Sequence, residues 1–542
     1  GDGSVRDLDL HDVVSVCRRL DGIPLAIELA VVRMRTMSLG EILRKLDDRF
    51  DLLTGGSRSA MARQQTLRAA VDWSYDLLNR SEATTLCLLS IFAGGFSGDD
   101  AELVGADAVG GPVRFREVLH SLVDKSLVAV DTGAPVTRYR LNDSIRLYAA
   151  ERLAEQGESV RGAALDAHGR LFLALAEEAA PHLVGGAQQV WLDRLDQEKD
   201  NLRLALQYLL AAPGRQVHAL RMCVALRRFW FARGYWTEAG ELLATALELP
   251  GAHAERELRA AVLCAAGQMA GRRSDHVGAR ALFEEGLELG RELGLDGIEA
   301  ECLCGIGWAA YSLGDLGTAR SVIDHAVEKA RTCGNAQVLG MVLERRASIN
   351  YEDHDACRAD YVEALEHLRG AGDLLNIGVV ENNMADLELI AARPDRARPH
   401  VEAALAISDM LHDESIMYNF LNLGHVEFMS ADVDRARTLY VDAFRSARRI
   451  GDHFMVANSV LGLALCRTAS PDAVAAAELH GVADALMEKS GGTHEVVERA
   501  LRAQDHATLR ATLGDDAFDL AYSSGRSRAD RSGAEAALIL SP

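Results

Sequence analysis

The chain has 542 residues, enough for several domains, with 80 acidic against 58 basic residues and a formal charge of -22. A surface this negative repels a phosphate backbone, so this chain by itself is not expected to grip duplex DNA. Hydrophobic residues make up 49% but aromatics only 5%, and there are 10 prolines; Ala- and Leu-rich helices fit that composition better than strands. The nine cysteines include no CxxC pair, the usage of reduced, buried thiols in a cytoplasmic protein and not of a disulfide frame or zinc site. No apolar run is long enough to span a bilayer and no signal peptide stands at the start, so no membrane association is expected. The chain opens at Gly1 without a Met, inside an amphipathic stretch, and is expected to be a portion of something longer.

In chain order, residues 10–50 read as helices broken at Gly22-Ile23-Pro24-Leu25-Ala26. Glycine permits the turn, and proline suits a first helical position, where its missing N–H is not needed. Helices are predicted over about 63–78 and 82–92, followed by Ser97-Gly98-Asp99-Asp100, a capping box. A third helix is predicted over 113–124, then two short strands, 127–130 and 138–141, around a Gly133/Pro135 turn. This order of elements is that of a winged helix. Arg114, Arg116, Arg138 and Arg140 would be the basic residues of a DNA-reading version.

Further on, one pattern recurs: Ala, a bulky residue four positions later, and a small residue seven positions later. It runs Ala239/Leu243/Ala246, Ala279/Phe283/Gly286, Ala319/Ile323/Ala326, Cys357/Tyr361/Ala364, Ala397/Val401/Ala404, Ala436/Tyr440/Ala443 and Ala476/His480/Ala483, in steps of 38 to 40 residues. A second small residue lies twelve positions before most first members, at Gly267, Gly307, Ala385, Gly424 and Ala464, while Arg227 and Arg345 break that column. Positions i, i+4 and i+7 share a helix face, so paired small residues let two helices approach closely while the bulky one fills the groove. Such hairpins stack into a superhelix whose concave face binds peptides or protein surfaces. Trp230, Trp308, Tyr311, Asn382, Asn383, Tyr418 and Asn422, on the first helix of each pair, are the candidate groove residues.

The spacing resembles the tetratricopeptide repeat, lengthened from its usual 34 residues to near 40. The Gly22–Ala26 segment resembles the GLPLA motif of NB-ARC modules in STAND-class switch ATPases. Arg63-Gln64-Gln65-Thr66-Leu67-Arg68-Ala69-Ala70-Val71-Asp72-Trp73-Ser74-Tyr75, Trp191-Leu192-Asp193-Arg194-Leu195 and Asp200-Asn201-Leu202-Arg203 are similar to segments of large LuxR-type and SARP-type bacterial regulators, which join an NB-ARC switch to such repeats. The resemblance implies that Gly22, Pro24 and Leu25 belong to a nucleotide site, with Pro24 against adenine. It also puts Asn142 and Asp143 where the family carries its nucleotide-sensing Met-His-Asp motif, with Asn142 replacing the usual His. There the winged helix clamps nucleotide instead of reading DNA.

No Gly-x4-Gly-Lys-Ser/Thr loop occurs, and none of the five lysines follows a glycine, so this chain is expected neither to hold ADP or ATP tightly nor to act as an enzyme. His354, Asp355, Cys357 and Asp360 cluster in sequence, but Cys357 falls in the inward-facing column, so no metal site is expected. The expected architecture is mostly all-α. Residues 1–55 form the helical end of an NB-ARC module, 56–158 a winged-helix domain, 159–500 a tetratricopeptide-like superhelix and 501–542 a helical tail. The expected role is sensor and switch in a nucleotide-dependent transcriptional regulator. In the complete protein it would hold ADP or ATP, take a protein or small-molecule inducer on its repeats, touch DNA only through a domain outside this chain, and form a nucleotide-dependent homo-oligomer. A plain repeat scaffold and the regulatory half of a nucleotide cyclase are the alternatives.

Overall fold

Pro24 opens a helix, as its fixed backbone angle favours. The computed structural model describes residues 10–20, 24–34, 37–50, 60–133, 136–251, 253–412, 416–468 and 472–529. These divide into two units, residues 1–179 with 193–222, and residues 180–192 with 223–542. In the first unit, α1 (Leu10–Arg19), α2 (Pro24–Arg33), α3 (Leu39–Phe50) and α4 (Ala60–Asp76) close over Val16, Leu20, Ala26, Ala30, Ile42, Ala70 and Trp73.

Next comes α5 (Arg80–Leu89), which starts where Asn79 and Glu82 cap each other's backbone N–H groups. This Asn-x-x-Glu capping box places the helix start two residues earlier than the sequence expectation. The Ser97–Asp100 box opens α6 (Gly98–Val109) as expected. Then follow α7 (Pro112–Asp124), α8 (Asp143–Glu155), α9 (Glu158–Ala179), α10 (Gln188–Gln197) and α11 (Lys199–Ala211). Strands β1 (Phe96–Ser97), β2 (Ala129–Asp131) and β3 (Arg138–Arg140) form a small antiparallel sheet with β3 in the middle; Tyr139 lies opposite both Phe96 and Val130.

Asn201, on α11, latches this sheet to the helices. Its buried amide accepts from Ala93 N (2.9 Å) and donates to Gly95 O (2.9 Å) and Glu198 Oε2 (2.8 Å), and Glu198 in turn pairs with Arg138 of β3. Asn201→Leu would strand one buried and two part-buried polar groups, so it is expected to lower unfolding free energy by about 2–4 kcal/mol, read as a drop in urea midpoint.

α12 (Gln216–Ala232) carries the chain into a run of hairpins in the second unit: α13 (Trp236–Leu247), α14 (Arg256–Arg272) with α15 (His276–Leu293), α16 (Asp296–Ser312) with α17 (Leu316–Cys333), and α18 (Ala336–Ile349) with α19 (His354–Ala371). It continues as α20 (Leu374–Ile390) with α21 (Pro394–Leu411), α22 (Ile416–Met429) with α23 (Val433–Ile450), and α24 (His453–Thr468) with α25 (Ala473–Ser490), ending in α26 (Val496–Leu513) and α27 (Asp515–Arg528). This is an α-α superhelix of tetratricopeptide-like hairpins.

All seven copies of the Ala/bulky/small pattern fall on the second helices, α13 to α25, and every member is buried. The nesting is direct. A Cβ added at Gly424 would lie 2.5 Å from the Tyr440 ring and one at Gly462 2.4 Å, so Tyr440 is gripped by two successive first helices. Phe283 is gripped the same way by Gly267 and Gly305. Hairpin turns repeat their chemistry: Asp275, Asp315, Asp353, Asp432 and Asp472 each cap a second helix by accepting a backbone N–H. Left-handed Gly294, Gly334, Gly372, Gly451 and Gly491 end five of them. Buried Glu427 on α22 takes a bidentate contact from Arg398 of the preceding hairpin (2.7 and 2.7 Å), which holds its pKa low.

From α14 to α24 each first helix meets the next first helix, whereas the second helices up to α23 pack closely on first helices alone. The first helices therefore form the inner layer. α26 lies against α20 and α24 of that layer, so the stretch read as a tail begins inside a helix that packs on the repeats. α27 packs on α25, where Gly481 and Gly525 allow near-contact of backbones.

Candidate binding face of the repeat unit

The inner layer presents a row of polar and aromatic side chains. Arg227, which breaks the small-residue column, reaches from α12 to Glu301 of α16 (3.1 and 3.3 Å), and Gln268 of α14 donates to the same carboxylate (3.4 Å). Glu301 holds the Arg227 guanidinium charged, its pKa raised. Arg345, the second column-breaker, lies 4.2 Å over the Trp308 ring, and Trp308 stacks on Tyr311 at 5.2 Å. Asn383 donates to Glu344 Oε1 (2.9 Å), Ser348 donates to the same oxygen (3.1 Å), and Asn422 donates to Asn382 Oδ1 (3.2 Å). Tyr418 is exposed, with its hydroxyl 3.4 Å from Asp452.

Of the seven predicted groove residues, Trp308, Tyr311, Asn382 and Asn383 are part-exposed and Tyr418 exposed. Trp230 is only 6% exposed and is a packing residue, and Asn422 is buried, reaching the face through Asn382. First-helix position does not separate these cases, because tertiary packing decides which side of the helix stays open. The sequence reading missed Glu301, Asp386 and Glu495; the arginines interrupting the small column were the available signal for the first.

Glu495 stands at the N-cap of α26 but caps no N–H group. Glu495 is exposed, but desolvation on the side facing the repeats, with the Glu498 charge adding, raises its pKa to about 7. Burial and the charges of Glu495 and Glu498 raise Asp386 as well. Folded Glu495 thus keeps a proton that the unfolded chain, with a carboxylate value near 4.5, has lost. Its contribution to stability is complete below about 4.5 and gone above about 7. Melting temperature is expected to fall with rising pH across that window more steeply in the wild type than in Glu495→Gln.

No group of His, Cys, Asp or Glu among the described residues is placed to hold a metal ion. Cys357 turns inward, its thiol donating to Ala347 O (3.3 Å), and Asp360 pairs with Arg346 (2.6 Å). The described cysteines are free; burial pushes Cys223, Cys304 and Cys466 up to about 12, which leaves them inert.

In the first unit Pro24 is exposed at the start of α2; the side chain of Leu25, and Gly22 altogether, lie outside the described residues. Asn142 caps α8, accepting Ser144 N at 3.0 Å, and Asp143 is exposed beside Arg146 (3.6 Å). α2 and α8 both pack on α4. Arg116 is bound to Glu102 (2.6 Å), Arg138 to Glu198, and Arg114 donates to Ser81 (3.0 Å), so three of the four arginines considered for DNA have partners within the unit.

The fold and this inner face define a helical-repeat protein of tetratricopeptide-like type. No family model matches the chain. Over 229 residues, 42% of its length, it is 41% identical to the Mycobacterium tuberculosis protein named "Putative HTH-type transcriptional regulator". Over 152 residues, 27% of its length, it is 47% identical to an "Uncharacterized protein" of the same species. These stretches are 25% and 38% of the two relatives, so the chain spans well under half of either. Among solved structures it is similar to the crystal structure of a Signal Transduction ATPase with Numerous Domains (STAND) protein with a tetratricopeptide repeat sensor from Pyrococcus horikoshii. That likeness has a TM-score of 0.48 at 14% identity, covering 95% of this chain and 74% of the other. No helix among the described residues is long and apolar enough to cross a membrane.

Proposed function

We propose that this chain is the sensor and switch portion of a nucleotide-dependent transcriptional regulator, in which the inner face of the repeats binds an inducer or partner protein. The observation that carries this reading is the row from Arg227 to Tyr418: polar and aromatic groups kept part-exposed on the inner layer, where packing alone would favour apolar ones. Partial homology to a protein named as an HTH-type regulator supports the regulatory context. In this reading the helices around Pro24 end an NB-ARC module, the three-stranded sheet with α5 to α8 is its winged helix, and ADP or ATP is held by a phosphate loop outside this chain. Effector binding shifts the nucleotide module between two states and sets oligomerisation, which requires different effector affinity in each state. DNA contact belongs to a domain outside this chain, and the chain itself catalyses nothing.

The test is the nucleotide content of the complete parent protein, purified, denatured and resolved by chromatography. Stoichiometric ADP or ATP is expected, and Pro24→Asp is expected to lower it. Parent protein free of nucleotide defeats the switch and favours the plain scaffold, the reading to which the capping role of Asn142 lends weight.

A further inference from the structure

We propose that residues 183–188 form a strap that closes the repeat superhelix on itself, joining α12 to the turn between α19 and α20, and that it releases while the hairpins stay folded. The regulatory use of that release rests on the inner face being the effector site; the release itself does not.

The strap joins groups far apart in sequence. Gly185 N donates to Gly372 O (2.9 Å), and a Cβ added at Gly372 would lie 2.8 Å from Gly185 Cα, so only glycine lets the two backbones meet. Arg228 of α12 donates to Leu183 O (2.7 Å) and pairs with Asp373, the N-cap of α20, 145 residues further on. Asp373 is fully buried and also accepts from Gln337 (2.9 Å) and Asn376 (2.6 Å). Just past α12, Arg233 donates to Leu411 O at the end of α21, 178 residues away. His182 and Trp191 stack at 5.0 Å and tie the two ends of the strap together.

This seat is weaker than the hairpin cores. Leu183 is the strap's one buried apolar side chain. Gln188 is fully buried, yet neither its Nε2 nor its Oε1 has a hydrogen-bond partner. An amide buried unpaired at both ends opposes docking, and water satisfies it once the strap lifts. A buried ion pair such as Arg228–Asp373 recovers little beyond its own desolvation cost. The strap therefore opens more readily than the nested cores around Phe283 or Tyr440.

Arg227, next to Arg228 on α12, reaches the inner face at Glu301. Superhelix curvature sums small rotations between neighbouring repeats, so a ligand bridging successive first helices changes the distance from α12 to the α19–α20 turn. An effector that favours a wider superhelix works against the strap, and the docked strap weakens its binding by the same factor. Residues 180–192, which carry the strap, are flanked in sequence on both sides by residues of the first unit, and α12 begins there. Release thus acts on the segments through which the chain passes between the units.

Amide exchange of the 542-residue chain, without nucleotide or effector, is followed by mass spectrometry in urea below the unfolding midpoint, with overlapping fragments that isolate the Gly185 amide. That amide is expected to exchange through a local opening, about a hundredfold or more faster than α14 to α17 and with little dependence on urea. Asp373→Asn keeps a capping side chain but removes the charge facing Arg228, and should speed Gly185 exchange about tenfold or more. Gln188→Leu, which removes the unpaired amide, should slow it. Glu301→Gln, whose bonds are to Arg227, Gln268 and Cys264, should speed it through α12, and exposed Glu288→Gln on α15 should leave it unchanged. Circular dichroism and the α14–α17 amides check that each variant is folded. A Gly185 amide that exchanges only together with α14 to α17, at the same urea dependence, overturns the strap. Faster exchange in Gln188→Leu overturns the poised seat, and no change in Glu301→Gln, or an equal change in Glu288→Gln, overturns the link to the inner face. None of these measurements uses nucleotide or effector, so they stand or fall apart from the test on the parent protein.

Discussion

Tyr440→Ala is expected to lower the stability of the hairpins α22 to α25 by about 4–6 kcal/mol. Tyr440 is fully buried, the ring between Gly424 and Gly462. Truncating a core aromatic costs about 3–5 kcal/mol through lost transfer energy and the cavity left behind. The hydroxyl also lies 2.8 Å from His425 Nδ1, itself buried, and stranding that nitrogen adds about 1–3 kcal/mol. Two glycine-lined walls cannot collapse inward to fill the space, because they carry no side chains there. Repeat stacks lose stability locally. Amide hydrogen exchange is therefore expected to rise most in α22 to α25 and least in α14 to α17, with a lower urea midpoint. Uniform exchange, or a cost under about 1 kcal/mol, would contradict the nesting account.

Gly525→Ala is expected to undock α27 from α25. A Cβ at Gly525 would lie 1.9 Å from the carbonyl oxygen of Glu478, and one at Gly481 2.1 Å from that of Tyr522. Both obstacles are backbone, so no rotamer change relieves them, and the helices must separate. Overpacking of this kind typically costs about 1–3 kcal/mol, and the contacts beyond the clash are lost with it. Among them is the bond from Tyr522 of α27 to Asp484 of α25, which also accepts from Arg502 of α26 (2.8 Å) and from His494 (3.2 Å). These donors hold its carboxyl well below the usual range, so its stabilisation is present above about pH 4 and fades below it. Limited proteolysis is expected to cut Gly525→Ala within 514–529 while the wild type resists.

The repeat positions were legible because helix-face periodicity is local: each i, i+4, i+7 triplet states its own burial, and the seven copies all face inward. The boundary of α5 was legible in principle from Asn79 and Glu82. Other features depend on groups far apart in sequence. Asn201 sits in a segment similar to those of large bacterial regulators, but its latch on Ala93 and Gly95 spans more than a hundred residues. Trp230 and Trp308 look alike in sequence, and only the packing of neighbouring helices buries one and leaves the other open. The raised carboxyl of Asp386 was hidden for the same reason, since Glu495 acts on it only because α26 folds back onto the inner layer.

The most direct measurement of whether the inner face is a signal-receiving surface is the transcript profile of cells carrying the complete protein, either wild type or with Trp308→Ala, Asn383→Ala and Glu495→Gln combined, at matched protein abundance. The variant is expected to lose the effector-dependent part of the profile and approach that of cells lacking the gene. A variant profile indistinguishable from wild type, or a deletion that changes no transcript, would contradict the account.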